Sequence, residues 1–195
     1  MGTAVLLPGH RGYANPSMGA KWGGLREGNL NVAYLAHTQY ALIERGHEVH
    51  TPTRAGDLAA MAAEVADLAR ENPGAKVGVI LAHVNAAGPE HDYSAHLWHY
   101  ERTNDRELCE CLATEFGFSP IARSVCTPAV PGDGWTSRSF SILQPFALMP
   151  SNVSIAVFEP CFMTNEAHRA QMLGRNGLQR IGLALADALC CWFGG

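Results

Sequence analysis

The sequence predicts an α/β fold: a single domain, residues 1–195, with a mostly parallel, mixed central sheet and helices on both of its faces. Three apolar runs favour this fold, at residues 4–7, 77–82 and 153–158. Short runs that are apolar at nearly every position are typical of strands buried on both faces. Helical patterns separate the runs, and strands that alternate with helices form a layered fold with right-handed crossovers.

The N-terminal part of the chain contains a strand, a long loop and a helix. The first apolar run stops at Pro8-Gly9, and residues 11–26 hold enough glycine, proline and asparagine to predict a loop. A helix is expected over residues 27–44, with Gly46 closing its end. Its predicted apolar stripe consists of Leu30, Ala33, Ala36, Tyr40 and Ile43.

The rest of the chain repeats this alternation. A helix over residues 55–71 has apolar side chains spaced by three or four and ends at Asn72-Pro73-Gly74. Residues 117–140 carry enough glycine, proline and serine to predict a loop with one short strand. The other expected strands are residues 48–51, 95–100 and 122–125. The other expected helices are residues 104–115 and 178–192, and a helix or turn is expected at residues 166–173.

Composition narrows the class of protein. Charged residues make up 16% of the chain and hydrophobic residues 47%, and the formal net charge is -4, which argues against a nucleic-acid-binding surface. No apolar run reaches the roughly 18 residues that span a bilayer, and the N-terminus lacks the basic and apolar regions of a signal peptide. We therefore expect a monomeric protein made in the cytoplasm, without a nucleic-acid partner or a membrane span.

Residues that can bind a metal or transfer a proton follow three of the predicted strands. His10 follows the first, His83 follows the strand at residues 77–82, and Glu159 follows the last. The carboxyl ends of parallel strands meet at one edge of a sheet, and the glycine-rich loop allows Glu27 to begin its helix beside that edge. Two histidines and a carboxylate with one open position form a catalytic zinc set, and a second carboxylate outside it can act as a base.

Each of these residues also has an ordinary structural interpretation. A histidine at a strand end is often only a hydrogen-bonded residue, and an acid such as Glu27 is favoured at a helix N-terminus by the macrodipole. Glu159 is harder to explain in this way, because an unpaired carboxylate buried after an apolar run is costly. Spacing alone leaves both a metal site and a structural role open.

Four motifs in chain order point to a family. They are Pro8-Gly9-His10-Arg11-Gly12, Glu27 with Asn31, Ala82-His83-Val84-Asn85-Ala86, and Glu159-Pro160-Cys161-Phe162-Met163-Thr164-Asn165. The chain resembles the zinc-dependent N-acetylmuramoyl-L-alanine amidases, a family that includes bacterial cell-separation enzymes and phage endolysins. The motifs are similar to the family's DPGHGG opening, E-x-x-x-N helix, S-x-H-x-N-A strand end and E-x-x-F-x-x-N signature.

The resemblance implies a role for each site residue. His10, Glu27 and His83 would bind one zinc ion, and Glu159 would be the catalytic carboxylate. The substrate would be peptidoglycan, and the bond cut would join N-acetylmuramic acid to the first L-alanine of the stem peptide. The contacts expected around the substrate or the ligands are Asn85, Asn165 and Arg138. Without a visible signal peptide or wall-binding module, endolysin-like action at the cell wall is expected.

The chain departs from the family motifs at three positions. Leu7 replaces an aspartate, Arg11 replaces a glycine, and Leu81 stands where a serine is common. These changes are expected to affect substrate detail more than metal binding. The residues that could also border the substrate groove are His91, His99 and Trp135.

Two other functions remain open from the sequence. One is a zinc amidohydrolase or exopeptidase of similar fold that acts on a small N-acyl amino acid or peptide. The other is a non-catalytic peptidoglycan-binding protein that has kept the fold.

Overall fold

The computed structural model describes residues 1–10, 19–53, 57–88, 90–117, 123–132 and 136–194. Its strands are β1 (Gly2–Pro8), β2 (Lys21–Trp22), β3 (Leu25–Arg26), β4 (Glu48–His50), β5 (Lys76–Ala82), β6 (Tyr93–His99), β7 (Arg123–Ala129) and β8 (Val153–Glu159). Its helices are α1 (Glu27–Glu44), α2 (Leu58–Glu71), α3 (Asp105–Gly117), α4 (Thr136–Leu143), α5 (Glu166–Leu173) and α6 (Gly177–Gly194), with a 3-10 turn at Gln144–Phe146.

Six strands form one mixed sheet in the order β4-β1-β5-β8-β6-β7. The pairs from β4 to β8 are all parallel, β6 runs antiparallel to β8, and β7 is parallel to β6. The helices cover both faces, since α1, α3 and α6 share one apolar cluster with the sheet and α2 and α4 pack on the other. The predicted fold class is confirmed.

Alternation along the central strands divides the core into these two layers. In β1, Ala4 and Leu6 belong to the cluster on the α1 side, whereas Val5 and Leu7 belong to the cluster on the α2 side. Successive side chains of a strand point to opposite faces, so an almost continuously apolar strand fills both layers. Burying one such side chain fully contributes about 1.5–3 kcal/mol.

The predicted apolar stripe of α1 is wrong beyond its first residue. Leu30 is buried, but Tyr40 and Ile43 are 68% and 53% exposed. The buried face instead carries Leu30, Asn31, Tyr34, Leu35, Thr38, Ala41 and Leu42. Close packing on α6 selects this face: the Thr38 hydroxyl donates to the carbonyl oxygen of Gly182 over 3.1 Å. A Cβ at Gly182 would collide with the carbonyl oxygen of Tyr34, so only glycine allows this approach.

Two regions predicted as loops contain regular structure. The segment before α1 includes the β2–β3 hairpin, in which Gly23 and Gly24 both have positive φ, as its tight turn requires. The segment after α3 contains α4 and a strand longer than expected, β7. Pro128 is compatible with β7 because that strand lies at the edge of the sheet, where a missing N–H donor is tolerated.

Candidate metal and catalytic site

Three neighbouring parallel strands, β1, β5 and β8, end at one edge of the sheet and place His10, His83 and Glu159 there. Hydrogen bonds continue the sheet up to these residues. The amide of Gly9 donates to the carbonyl oxygen of Ala82 over 2.7 Å, and the amide of His83 donates to that of Phe158 over 2.8 Å. The predicted convergence of these strand ends is therefore present.

Glu27 lies between the two histidines. Its Oε1 is 2.9 Å from Nδ1 of His83 and its Oε2 is 3.4 Å from Nε2 of His10. The two imidazole rings are nearly perpendicular, with centroids 5.0 Å apart. One ligand atom from each residue lies within 4.8 Å of the other two, and among the described residues this is the one such group of three or more.

Local structure holds the Glu27 carboxylate in place. The residue is buried at the N-terminus of α1, where the helix dipole favours a negative charge. Backbone amides donate to both oxygens, that of Ala20 to Oε2 over 3.0 Å and that of Val84 to Oε1 over 3.3 Å. Glu27 is therefore both an acid favoured by the helix dipole and a candidate metal ligand.

Two glycines make room for the cluster. A Cβ at Gly9 would overlap the imidazole of His83. A Cβ at Gly19, whose φ is +74°, would lie 2.5 Å from Oε2 of Glu27 and 2.6 Å from Cδ2 of His10. The three donors can approach one another because these neighbours have no side chains.

His10 has an unusual backbone conformation, with φ at 57°. This left-handed region is unfavourable for a residue with a side chain, at a cost of about 1–3 kcal/mol, and it occurs preferentially at functional sites. The conformation turns the chain at the end of β1 while the imidazole of His10 stays within reach of Glu27.

Helix α1 also supports the strand ends through two further residues. The side-chain amide nitrogen of Asn31, Nδ2, donates to the carbonyl oxygen of Gly9 over 3.1 Å. The hydroxyl of Tyr34 donates to the carbonyl oxygen of His83, also over 3.1 Å. Residues 27, 31 and 34 are spaced by four and three. One face of the helix therefore carries the candidate metal ligand Glu27 and the two side chains that hydrogen-bond to the strand ends. The sequence analysis missed Tyr34, whose signal was this helical spacing from Glu27.

The protonation states suit metal binding. Burial lowers the pKa of His10 and outweighs the opposing charge of Glu27. Burial disfavours the charged form of Glu27, but the hydrogen bond and charge of His83 outweigh it, so the pKa of Glu27 lies below its usual value. A neutral imidazole and an ionised carboxylate are the forms that bind a cation.

The donor set fits zinc. Nitrogen and oxygen atoms about 2.1 Å from one tetrahedral ion lie roughly 3.4 Å apart. The separations in the cluster bracket that value: 2.9 and 3.4 Å to the two different oxygens of Glu27, and at most 4.8 Å when one atom is taken from each residue. Two imidazoles and one carboxylate are also the ligands of catalytic zinc sites that keep a fourth position open.

Glu159 stands outside this cluster and has its own partner. The side-chain amide of Asn85 donates to its Oε2, and Asn85 is itself fixed by backbone hydrogen bonds with Cys161 and Met163. Burial raises the pKa of Glu159, against the opposing effects of His83 and Asn85. A carboxyl group with a raised pKa is suited to both accept and return a proton near neutral pH.

Comparison with known proteins agrees with this geometry. A family model described as N-acetylmuramoyl-L-alanine amidase matches residues 4–191. The chain belongs to this family. The recognition made from the four motifs is confirmed, and with it the prediction of a hydrolase of this kind. No curated protein matches the chain by sequence search.

Three solved structures have a similar fold. An N-acetylmuramoyl-L-alanine amidase from Clostridium difficile 630 has a TM-score of 0.74 and 16% identity, covering 100% of this chain and 97% of its own. The catalytic domain of the amidase CwlV from Bacillus (Paenibacillus) polymyxa var. colistinus has a TM-score of 0.72 and 14% identity, covering 100% and 99%. The catalytic domain of the CD27L endolysin targeting Clostridia difficile has a TM-score of 0.55 and 15% identity, covering 95% and 97%.

Two of the departures from the family motifs are neighbours in the sheet. Leu7 and Leu81 are register partners on β1 and β5, and both are buried in the apolar cluster on the α2 side. The substitutions thus replace two polar side chains with a contacting apolar pair, on the face opposite to Glu27. Arg11, like Trp135, lies outside the described residues.

The three predicted substrate contacts have different environments. Arg138 on α4 is exposed, and its positive charge lowers the pKa values of both His10 and Glu159. Asn85 contacts Glu159 directly. Asn165 caps α5, since its Oδ1 accepts from the amide of His168 over 3.1 Å and its Nδ2 donates to a backbone carbonyl over 3.0 Å.

The two groove histidines are separated by the direction of β6. Because β6 is antiparallel to β8, Ala95 pairs with Glu159, and the later residue His99 lies towards the opposite edge of the sheet. His99 is buried and contacts the side chain of Gln144 there, so it is a structural residue and the alternative place at the groove is excluded. His91 precedes β6 and packs against Tyr93 and Phe162, on the Glu159 side.

Proposed function

We propose that this protein is a zinc-dependent amidase of peptidoglycan, which hydrolyses the bond between the lactyl group of N-acetylmuramic acid and L-alanine. One zinc ion would be held by His10, Glu27 and His83. The observation that carries the proposal is the convergence of these three donors, within 4.8 Å of one another, at the strand edge where β8 delivers Glu159. Membership of the N-acetylmuramoyl-L-alanine amidase family supports this bond as the one that is cleaved.

A zinc ion at this site would polarise the scissile carbonyl and lower the pKa of a bound water from about 15.7 towards roughly 7. The remaining chemistry belongs to the chain. Glu159 takes a proton from the attacking water, and the same carboxyl group then gives it to the departing amine of L-alanine. Asn85 keeps the carboxylate oriented through its hydrogen bond to Oε2. General acid–base steps of this kind contribute about 10² to 10⁴ in rate.

The surroundings of the site offer contacts for the two halves of the substrate. Arg138 is an exposed cation near Glu159, so it suits a carboxylate of the stem peptide. Asn85 and Asn165 could contact the amide groups of that peptide. On the other side, the β2–β3 hairpin joins directly to Glu27 and presents Trp22, which is 47% exposed, as a surface for the glycan.

The proposal has a direct test. Purified protein should contain about one zinc per chain by elemental analysis. Incubation with purified sacculi should release new alanine amino termini without new reducing sugars. A fully active preparation that is free of metal would contradict the zinc assignment, and new reducing sugars would contradict the bond assignment.

The same assay separates the two alternatives. A zinc amidohydrolase or exopeptidase for small substrates would leave sacculi intact while cleaving an N-acyl amino acid. A non-catalytic peptidoglycan-binding protein would bind sacculi equally well as wild type and as Glu159→Gln, and neither would release alanine termini. The carboxyl group of Glu159, hydrogen-bonded to Asn85 and with a raised pKa, supports catalysis over a purely structural or binding role.

We also propose that the protein acts at the cell wall as a single chain covering one catalytic domain, residues 1–195, in an endolysin-like role. All proposed ligands come from one chain. No described helix is long and apolar enough to cross a membrane. Light scattering of the active protein should give the mass of one chain, and expression inside a wall-bearing bacterium together with a membrane-permeabilising protein should cause lysis.

A further inference from the structure

The thiols of Cys111 and Cys191 contact each other on the surface of the helical layer, with 2.9 Å between the two Sγ atoms. Cys111 lies on α3 and Cys191 near the end of α6, 80 positions later in the chain. Cys191 is exposed and Cys111 is partly exposed. The contact therefore joins two separate elements at a place that solvent reaches.

The packing of the two helices keeps this contact in place. α3 and α6 share the apolar cluster on the α1 side of the sheet, to which Leu108 and Leu112 contribute from α3 and Leu185 and Leu189 from α6. A disulfide has a sulfur–sulfur distance of about 2.05 Å, so the two atoms need to approach by roughly 0.9 Å. Small side-chain rotations suffice for such a movement, and the helices do not have to separate.

A metal site is a poorer explanation of the pair. Among the described residues, the cluster around Glu27 is the one group of three or more metal-capable side chains that lie close together. The neighbouring Cys190 is directed elsewhere, with its Sγ 3.6 Å from Nη1 of Arg45. Two thiols without a third ligand are suited to oxidation rather than to holding zinc.

We propose that Cys111 and Cys191 are a covalent modification site, at which a small disulfide oxidant links α3 to α6. The exposed thiolate of Cys191 attacks one sulfur of oxidised glutathione and releases one reduced glutathione. Cys111, as its thiolate, then attacks Sγ of Cys191 in the mixed disulfide and releases the second glutathione. Overall the two protein thiols lose two protons and two electrons, and the oxidant is reduced to two thiols.

The order of these steps follows from the surroundings. Burial, together with the contact with Cys191, raises the pKa of Cys111 to about 12, so Cys191 is the residue that meets the oxidant first. The ammonium group of Lys76, at the start of β5, donates to the carbonyl oxygen of Trp192, the residue after Cys191, over 2.7 Å. His83 follows the opposite end of that strand, so the link forms at the sheet edge away from Glu159, and activity should not change.

The experiment uses the reduced full-length protein with oxidised glutathione as the probe. Wild type should lose two thiols on titration, and peptide mapping without reductant should recover a peptide pair joined through Cys111 and Cys191. Because the link closes a loop of 80 residues, the Tm should rise by about 5–10 °C on oxidation. Cys191→Ser should show neither the linked peptide nor this rise.

Cys190→Ser is the matched control, because it removes the adjacent thiol on the same helix and leaves the pair intact. It should oxidise and gain stability as wild type does. Mapping is necessary because buried Cys109 and partly exposed Cys126 also interact, each affecting the pKa of the other. The proposal is overturned if Cys191→Ser gains the same Tm increase, if the mapped link joins Cys109 to Cys126 alone, or if Cys191 remains bound to glutathione.

Discussion

At the ends of strands β1 and β5, one face of the sheet carries polar side chains that can bind a metal and the other face carries apolar side chains. On the α1 side, His10 and His83 meet Glu27. On the α2 side, Leu7 and Leu81 are 5% and 3% exposed and pack with the apolar residues of α2. The family motifs have aspartate and serine at these two positions, so the two faces differ in how far they depart from the family.

This difference shows which contacts hold the donor cluster. Asn31 and Tyr34 on α1 support the backbone on either side of the histidines, and the amides of Ala20 and Val84 support Glu27. None of these contacts passes through the α2 side. An apolar pair can therefore stand on that face while the donor atoms remain within 4.8 Å of one another.

The largest effect is expected from His83→Ala, which breaks the polar face. The variant should bind no zinc and lose at least about 1,000-fold in activity, because a catalytic metal contributes several kcal/mol to the reaction. Elemental analysis and sacculus digestion measure the two losses. His50→Ala is the control, since His50 also contacts a carboxylate, that of Glu64 at 2.8 Å, but away from the cluster. Equal losses in both variants would contradict the assignment.

Glu159→Gln should separate catalysis from metal binding on the same face. We expect kcat/KM to fall by about 10² to 10⁴, because an amide cannot carry the proton, while the zinc content stays at one per chain. Glu166→Gln, an exposed position at the start of α5, should keep full activity. Loss of zinc from Glu159→Gln would place this residue among the ligands instead.

Leu7→Asp introduces a charge into the apolar cluster on the α2 side. A carboxylate buried among α2 side chains should lower the free energy of unfolding by about 3–5 kcal/mol, and Leu7→Ala, which leaves only a cavity, by about 2–4 kcal/mol. Adding Leu81→Ser restores the polar pair of the family motifs and should recover about 1 kcal/mol. Urea denaturation of the two single variants and the double variant measures this coupling, and additive losses would show that the two positions are independent.

A histidine away from the strand ends sharpens the contrast between imidazoles that contact a carboxylate and one that does not. His96 is fully buried, stacks on Phe158 and lies 3.3 Å from the hydroxyl of Ser94. Burial lowers its pKa from 6.5 to about 3. The unfolded chain therefore binds the additional proton between these values, and the free energy of unfolding decreases as the pH falls through that window.

At pH 4.5 this loss is on the order of 2–3 kcal/mol. His96→Phe should remove this part of the acid sensitivity and match wild type above pH 7. Urea denaturation at both pH values measures it. An unchanged pH dependence in the variant would mean that His96 does not cause the loss of stability at low pH.

The smallest effect is expected from Tyr34→Phe. It removes the hydrogen bond to the carbonyl oxygen of His83, which contributes about 1 kcal/mol, and should weaken zinc binding about tenfold. Competition with a chelator measures the affinity. Tyr40→Phe serves as the control because Tyr40 lies on the same helix and is 68% exposed. No difference between the two variants would show that α1 does not position His83.

Much of the site was accessible to sequence reasoning because it follows from strand order. Continuous apolar runs identify buried parallel strands, and the ends of such strands meet at one edge whatever the intervening chain does. His10, His83 and Glu159 were predicted on this basis. The segment at residues 166–173, predicted as a helix or a turn, is the helix α5, Glu166–Leu173.

The antiparallel part of the sheet was less accessible. Nothing in the residues of β6 distinguishes a parallel from an antiparallel strand, so the sequence left open whether His99 borders the groove. The α1 stripe failed for a similar reason: alanine and tyrosine fit either face of a helix, and the choice depends on where Gly182 lets α6 approach.

By itself the sequence determined the fold class and the family, and it predicted the convergence of His10, Glu27, His83 and Glu159, because apolar periodicity and motif spacing are local properties of the chain. Only the tertiary structure decided that Glu27 lies between the two histidines, that Leu7 and Leu81 form an apolar pair, and that the Cys111 and Cys191 thiols touch. These contacts join residues from different elements, and their existence depends on packing distances of a few ångströms that no local pattern specifies.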